Sequence, residues 1–193
     1  MVRNRATVIG LHTECDHVLS VVAPIGLASA AARPALVIDL DAGGPAYPGL
    51  RSLAELVEDG PTRPELFPRL SSAHRSGVAL LRNGGIDWEA ATSMIEALAQ
   101  EWPAVVLRLP GTGGPWPWPM VPLVPLLPGI LQPRGGRAAV WQSVATRRDK
   151  APGPGPVLPA LDRFTLSRLL TLRSEARGRW VRAWSQVWEL PWP

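Results

Sequence analysis

The chain has 193 residues, 46% apolar and 19% charged, with 20 basic and 16 acidic side chains and a formal net charge of +4; this suits a globular protein of one domain, alone or with an appendage. A single cysteine excludes an internal disulfide framework. No stretch reaches the roughly 18 uninterrupted apolar residues of a membrane span, and residues 1–13 lack the apolar core and cleavage site of a signal peptide, so the expectation is a cytoplasmic protein.

Residues 6–11 (ATVIGL) form a short apolar, β-rich run that reads as a strand. Residues 18–32 (VLSVVAPIGLASAAA) are too long for one strand and rich in Ala and Leu. They predict a buried helix bent near Pro24 and stopped by Arg33-Pro34. Residues 35–41 (ALVIDLD) are a second buried strand, closed by Ala42-Gly43-Gly44. Strand, helix and strand at this spacing make a βαβ unit, which implies a parallel sheet with a right-handed crossover.

A short helix is expected over residues 51–58, with Ser52 near its start and Asp59-Gly60-Pro61 as its stop. Another helical turn or two is expected in 64–72, and a third strand over 77–81 ended by Asn83-Gly84-Gly85. Asp87 reads as the N-cap of a helix over 88–101, whose Ala91, Met94, Ile95, Leu98 and Ala99 share one face. Trp102-Pro103 stops it, and 104–109 is the fourth strand. Residues 111–119 (GTGGPWPWP) are loop. Residues 121–127 alternate Pro with apolar residues, so a strand there requires that its prolines face no partner. Residues 137–144 read as a last strand.

The division expected is an α/β domain over 1–145, a flexible Pro/Gly-rich linker over 146–160 and a helical tail over 161–193. Residues 1–110 carry 9 basic and 12 acidic side chains, and residues 111–193 carry 11 and 4 together with seven of the nine tryptophans. Arg outnumbers Lys 19 to 1, which reflects a GC-rich genome as much as any function. In the tail, Trp180, Trp184, Val187 and Trp188 recur at helical spacing beside Arg177, Arg179 and Arg182. Three roles suit such an amphipathic helix: packing across the sheet, forming a partner-binding face, or lying on an anionic membrane. Nucleic-acid binding has less support, because no reading motif is present.

In a parallel α/β sheet the turn after the first strand faces the ligand crevice. Here it is His12-Thr13-Glu14-Cys15-Asp16-His17, without a glycine, and the only lysine of the chain is the distant Lys150. Phosphate binding in such a turn needs glycines and a lysine, and Glu14 and Asp16 would repel the anion. His12, Cys15 and His17 are weak metal candidates, since no second ligand pair closes the set. A cysteine enzyme using Cys15 with His12 or His17 as base, and Asp39 nearby, is a rival without an accompanying oxyanion-hole motif. The plainer reading has Asp16 capping the helix and Cys15 partly buried.

Four segments taken together resemble the MinD/ParA family of deviant-Walker P-loop ATPases, in particular its CpaE/TadZ-like and septum-site-determining branches. They are ALVIDLDAGG (35–44), GLRSLAEL (49–56), HRSGVALL (74–81) and AVVLRLPG (104–111). The resemblance implies a three-layer α/β fold of the P-loop NTPase type with a mainly parallel sheet. It also implies that Asp39 and Asp41 stand where family members arrange water and magnesium around the nucleotide. Two family features are missing: residues 12–17 replace the K-G-G-x-G-K-T/S loop, and Arg108 occupies the Walker B aspartate position. The expectation is a degenerate, non-catalytic pseudo-ATPase that binds no nucleotide or other cofactor. Its role would be scaffold, adaptor or positioning factor for a protein partner, itself or an active ATPase of a bacterial secretion, pilus or division apparatus. MinD proteins end in a membrane-targeting helix, so peripheral contact with the inner membrane face is also implied.

Overall fold

The computed structural model describes residues 7–13, 16–60, 77–111, 115–127, 138–144, 151–171 and 178–192. Its strands are β1 (Thr7–His12), β2 (Ala35–Asp39), β3 (Val78–Leu81), β4 (Ala104–Arg108), β5 (Met120–Leu126), β6 (Val140–Ser143) and β7 (Val157–Leu158). The helices are α1 (His17–Ser29), α2 (Leu53–Asp59), α3 (Trp88–Glu101), α4 (Arg163–Thr171), α5 (Arg179–Ala183) and α6 (Ser185–Glu189). The helical turns expected in 64–72 lie outside the described residues.

The strands form one seven-stranded sheet in the order β3-β2-β4-β1-β5-β6-β7, and every pairing is parallel. Uninterrupted apolar runs produce this arrangement, because a strand covered by helices on both faces must bury both sets of side chains; β2, β3 and β4 are buried at every position. One core lies between the sheet and α1, α4, α5 and α6, and holds Val37, Val106, Leu27, Trp180 and Trp184. The other, holding Ile38, Leu107, Leu56, Ile95 and Trp102, lies under α2 and α3. The result is the three-layer α/β fold expected.

Local chemistry sets the helix starts. The Asp16 carboxylate accepts from the Leu19 N–H at 2.9 Å, which caps α1. Ser52 and Glu55 form a reciprocal capping box at α2. Asp87 occupies the N-cap position of α3 without a side-chain cap bond.

Strand β5 tolerates two prolines because of where its partners begin and end. The Gly10 N–H donates to the Pro119 carbonyl at 2.8 Å, so odd-numbered residues of β5 turn their backbone groups toward β1 and even-numbered ones toward β6. Pairing with β1 involves Met120 to Pro122, and pairing with β6 begins at Leu123. Pro122 therefore lacks its N–H on the β6 side just before that ladder starts. Pro125 lacks it on the β1 side, beyond the end of β1.

Two expectations change. The described part of the linker, residues 151–160, contains β7, and the Pro154 and Pro156 carbonyls accept from the Ala139 and Trp141 N–H groups at 3.1 and 2.9 Å. Proline removes a donor but keeps its acceptor, so a Pro-rich segment can still serve as a sheet edge. The amphipathic helix expected around Trp180, Trp184, Val187 and Trp188 is two short helices joined at Trp184.

Candidate functional site

Asp39 closes β2, Arg108 closes β4, and they are partners across the parallel ladder. The two strands run in phase, from Ala35 opposite Ala104 to Ile38 opposite Leu107, before a charge appears in each. Residues opposite one another in a ladder project to the same face. Two residues back, Val37 and Val106 belong to the core under α1, so the carboxylate and guanidinium share that side.

Arg108 holds several groups at once. Its Nη1 lies 3.3 Å from Asp39 Oδ2 and donates to the Pro45 carbonyl at 2.6 Å, while Nη2 donates to Asp41 Oδ2 at 2.9 Å. The planar fork of a guanidinium suits such simultaneous pairing. The Arg108 and Asp39 side chains are each 1% exposed, and that of Asp41 is 18% exposed. The Asp41 N–H donates to Asp39 Oδ1 at 3.1 Å. Arg108 Cζ stands 5.3 Å from the ring centroid of Tyr47, whose hydroxyl donates to the Val21 carbonyl of α1 at 2.8 Å. Residues 41–47 are thus tied to the sheet end and to α1. Gly44 allows the approach, since a Cβ there would overlap the Arg108 guanidinium and the Asp41 carboxylate.

Burial pushes the Asp39 carboxyl up to about 6, against the pull of Arg108. Burial also drives the Tyr47 phenol far above its ordinary range, so its hydroxyl stays neutral and donating. The arrangement is a buried electrostatic clasp. Both Nη nitrogens are engaged by groups of this chain.

Beside the clasp, among the described residues, opens a cleft of about 510 Å³ at the ends of β2 and β3. Its walls include Asp41, Glu55, Glu58 and Arg82, with Asp39 and the Asn83-Gly84-Gly85 turn. Arg82 Nη2 stands 3.7 Å from Glu55 Oε1, a solvent-exposed pair.

The residues singled out in the sequence separate. Asp39 and Asp41 meet, as neighbours around Arg108, and Asp39 is engaged with Arg108 and the Asp41 N–H rather than standing free for a cysteine site. His12 ends β1 and is half-buried, whereas His17 opens α1 exposed to solvent; Cys15 lies outside the described residues. Of the tail residues proposed for partner binding, Trp180 and Trp184 are 1% and 0% exposed. Trp180 Nε1 donates to Gln142 Oε1 at 2.7 Å, and the half-buried Trp188 donates to the Leu27 carbonyl at 2.9 Å. Both bonds tie the tail to the domain, so the aromatic stripe is core rather than a free face. An interfacial membrane helix needs that stripe available to lipid. Arg179 and Arg182 are exposed, and Arg177 lies outside the described residues. No described helix is long and apolar enough to cross a membrane.

Reading the sequence missed the engagement of Arg108 with both aspartates and the part played by Tyr47. A signal existed: ALVID and AVVLR are apolar runs of equal length and phase that end in opposite charges.

Among solved structures, the fold is similar to that of a ParA family ATPase from Chlorobium tepidum TLS, with a TM-score of 0.66 and 10% identity over 95% of this chain and 97% of that one. At that identity the likeness speaks for the fold alone, a parallel, three-layer α/β domain. No family model matches the sequence, and no curated protein matches it.

Proposed function

We propose that the protein is a non-catalytic pseudo-ATPase with a ParA-type fold, acting as a scaffold, adaptor or positioning factor. The observation that carries this reading is the Arg108 clasp. By the family resemblance, Arg108 stands where an acidic residue would help hold the magnesium ion, and its guanidinium engages both aspartates that would otherwise serve there. A divalent cation brought to that edge meets a buried positive charge. The sequence of residues 12–17 holds neither the glycines nor the lysine that such a phosphate cradle needs. Magnesium nucleotide does not fit this set of groups.

The partner is read as a protein, either a second copy of the chain or an active ATPase of a secretion, pilus or division apparatus. The exposed Arg179 and Arg182 are available for contact, while the neighbouring tryptophans are committed to the core. Calorimetry and thermal shift with ATP, ADP and GTP, each with and without magnesium, test the reading. The expected result is no binding at millimolar nucleotide. Magnesium-dependent binding would overturn the pseudo-ATPase and direct the work to hydrolysis assays.

A further inference from the structure

The two outer helical layers differ in charge. Helix α3 carries Glu89, Glu96 and Glu101 and no basic residue, with Asp87 just before its first turn. Helices α4 and α5 carry Arg163, Arg168, Arg179 and Arg182 and no acidic residue. All three glutamates of α3 are exposed, as are Arg163, Arg179 and Arg182. Because α3 belongs to one core and α4 and α5 to the other, these surfaces lie on opposite sides of the sheet. The charges cannot satisfy one another within a single molecule.

Their other exposed side chains also differ. Between its acids, the outer side of α3 exposes Ala90, Ser93 and Gln100. Helix α4 presents Phe164, 68% exposed, and Leu170, 52% exposed, among its arginines. The cations that frame these apolar side chains complement the anions of α3, and opposite potentials of this kind steer and orient association.

We infer that the arginine-bearing surface of α4 and α5 docks onto the acidic outer surface of α3 in a second copy of this chain. Such a contact is heterologous, because it uses two different patches on opposite sides of the molecule. Repetition gives a head-to-tail ring or stack rather than a two-fold dimer. The contact uses no nucleotide, so the inference stands apart from the pseudo-ATPase reading.

Sedimentation velocity and light scattering of the full chain at ~100 µM, in ~50 mM and ~500 mM salt, give the first test, since salt screens exposed charge pairs. The expected result is concentration-dependent assembly at low salt that is lost at high salt. Arg179→Glu/Arg182→Glu should abolish it, and so should Glu89→Arg/Glu96→Arg. Mixing these two variants should restore assembly, because each reversed surface then meets an opposite charge. Circular dichroism melts of the variants keep misfolding from passing as loss of docking. Three results would overturn the inference: a wild-type monomer at low salt, assembly indifferent to either reversal, or assembly lost only with the arginine variant, which would mean that the basic surface meets something other than α3.

Discussion

Trp180 rests on Gly26. A Cβ built on Gly26 would stand 2.8 Å from Trp180 Cη2, closer still to Cζ3, and 3.0 Å from Trp184 Nε1. The two indoles meet edge to face with centroids 5.5 Å apart. This contact joins the C-terminal helices to α1 and explains a glycine in the middle of a buried helix.

Gly26→Ala therefore sets two effects against each other. Helix propensity favours alanine by about 1 kcal/mol, while overpacking a filled core costs about 1–3 kcal/mol. The expected outcome is a lower urea midpoint with an unchanged m-value. A variant as stable as wild type would show that the indoles shift aside freely.

Arg108→Met leaves two carboxylates at the sheet end without their cation. Removing one member of a buried pair typically costs about 3–5 kcal/mol. Neutralising the partners as well, in Asp39→Asn/Asp41→Asn/Arg108→Met, should recover a good part of the loss, because no uncompensated charge remains. Equal destabilisation of the single and triple variants would mean that packing, not charge, dominates there.

The Asp39 carboxyl gives a pH signature. Its folded value of about 6 lies above the ordinary 3.8, so the folded state binds this proton more tightly than the unfolded chain does. That contribution to stability is fully present below the unfolded value and is lost as pH rises through the folded one. Compared with Asp39→Asn, wild type should lose on the order of 2–3 kcal/mol between about pH 4 and 7. A stability difference between the two proteins that stays flat across the interval would refute the shift.

Trp184 is fully buried, and Trp184→Ala should cost about 3–5 kcal/mol. Deleting residues 161–193 removes Leu169, Trp180, Val181, Trp184 and Val187 from the core together. The shortened chain should show no cooperative thermal transition. A sharp melt would instead make the tail an appendage. Partner searches are better served by changes at Arg179 and Arg182, which are exposed.

Much of this fold was legible because its central elements declare themselves locally. The apolar runs of β2 and β4, the Asp16 cap and the Ser52–Glu55 pair each need only a few adjacent residues. The aromatic period of the tail was legible too, but a period says that a face is apolar without saying what covers it. The same limit applies to residues 151–158, where composition suggests a linker while the proline carbonyls complete a strand edge. For the clasp, the aspartates and Arg108 were visible as residues. Their meeting depends on β4 lying directly beside β2, which follows from sheet order rather than from either segment.

No residue of β5 belongs to both of its ladders: its first three positions pair with β1 and its last four with β6. In mechanical terms the sheet is spliced at β5, and tension applied across it would fall on a joint with no overlapping rungs. The C-terminal helices serve as the strut, since Trp180 bonds Gln142 of β6 while standing on Gly26 of α1. Loosening that strut should let β6 and β7 swing on the joint while the β1 to β4 half keeps its shape.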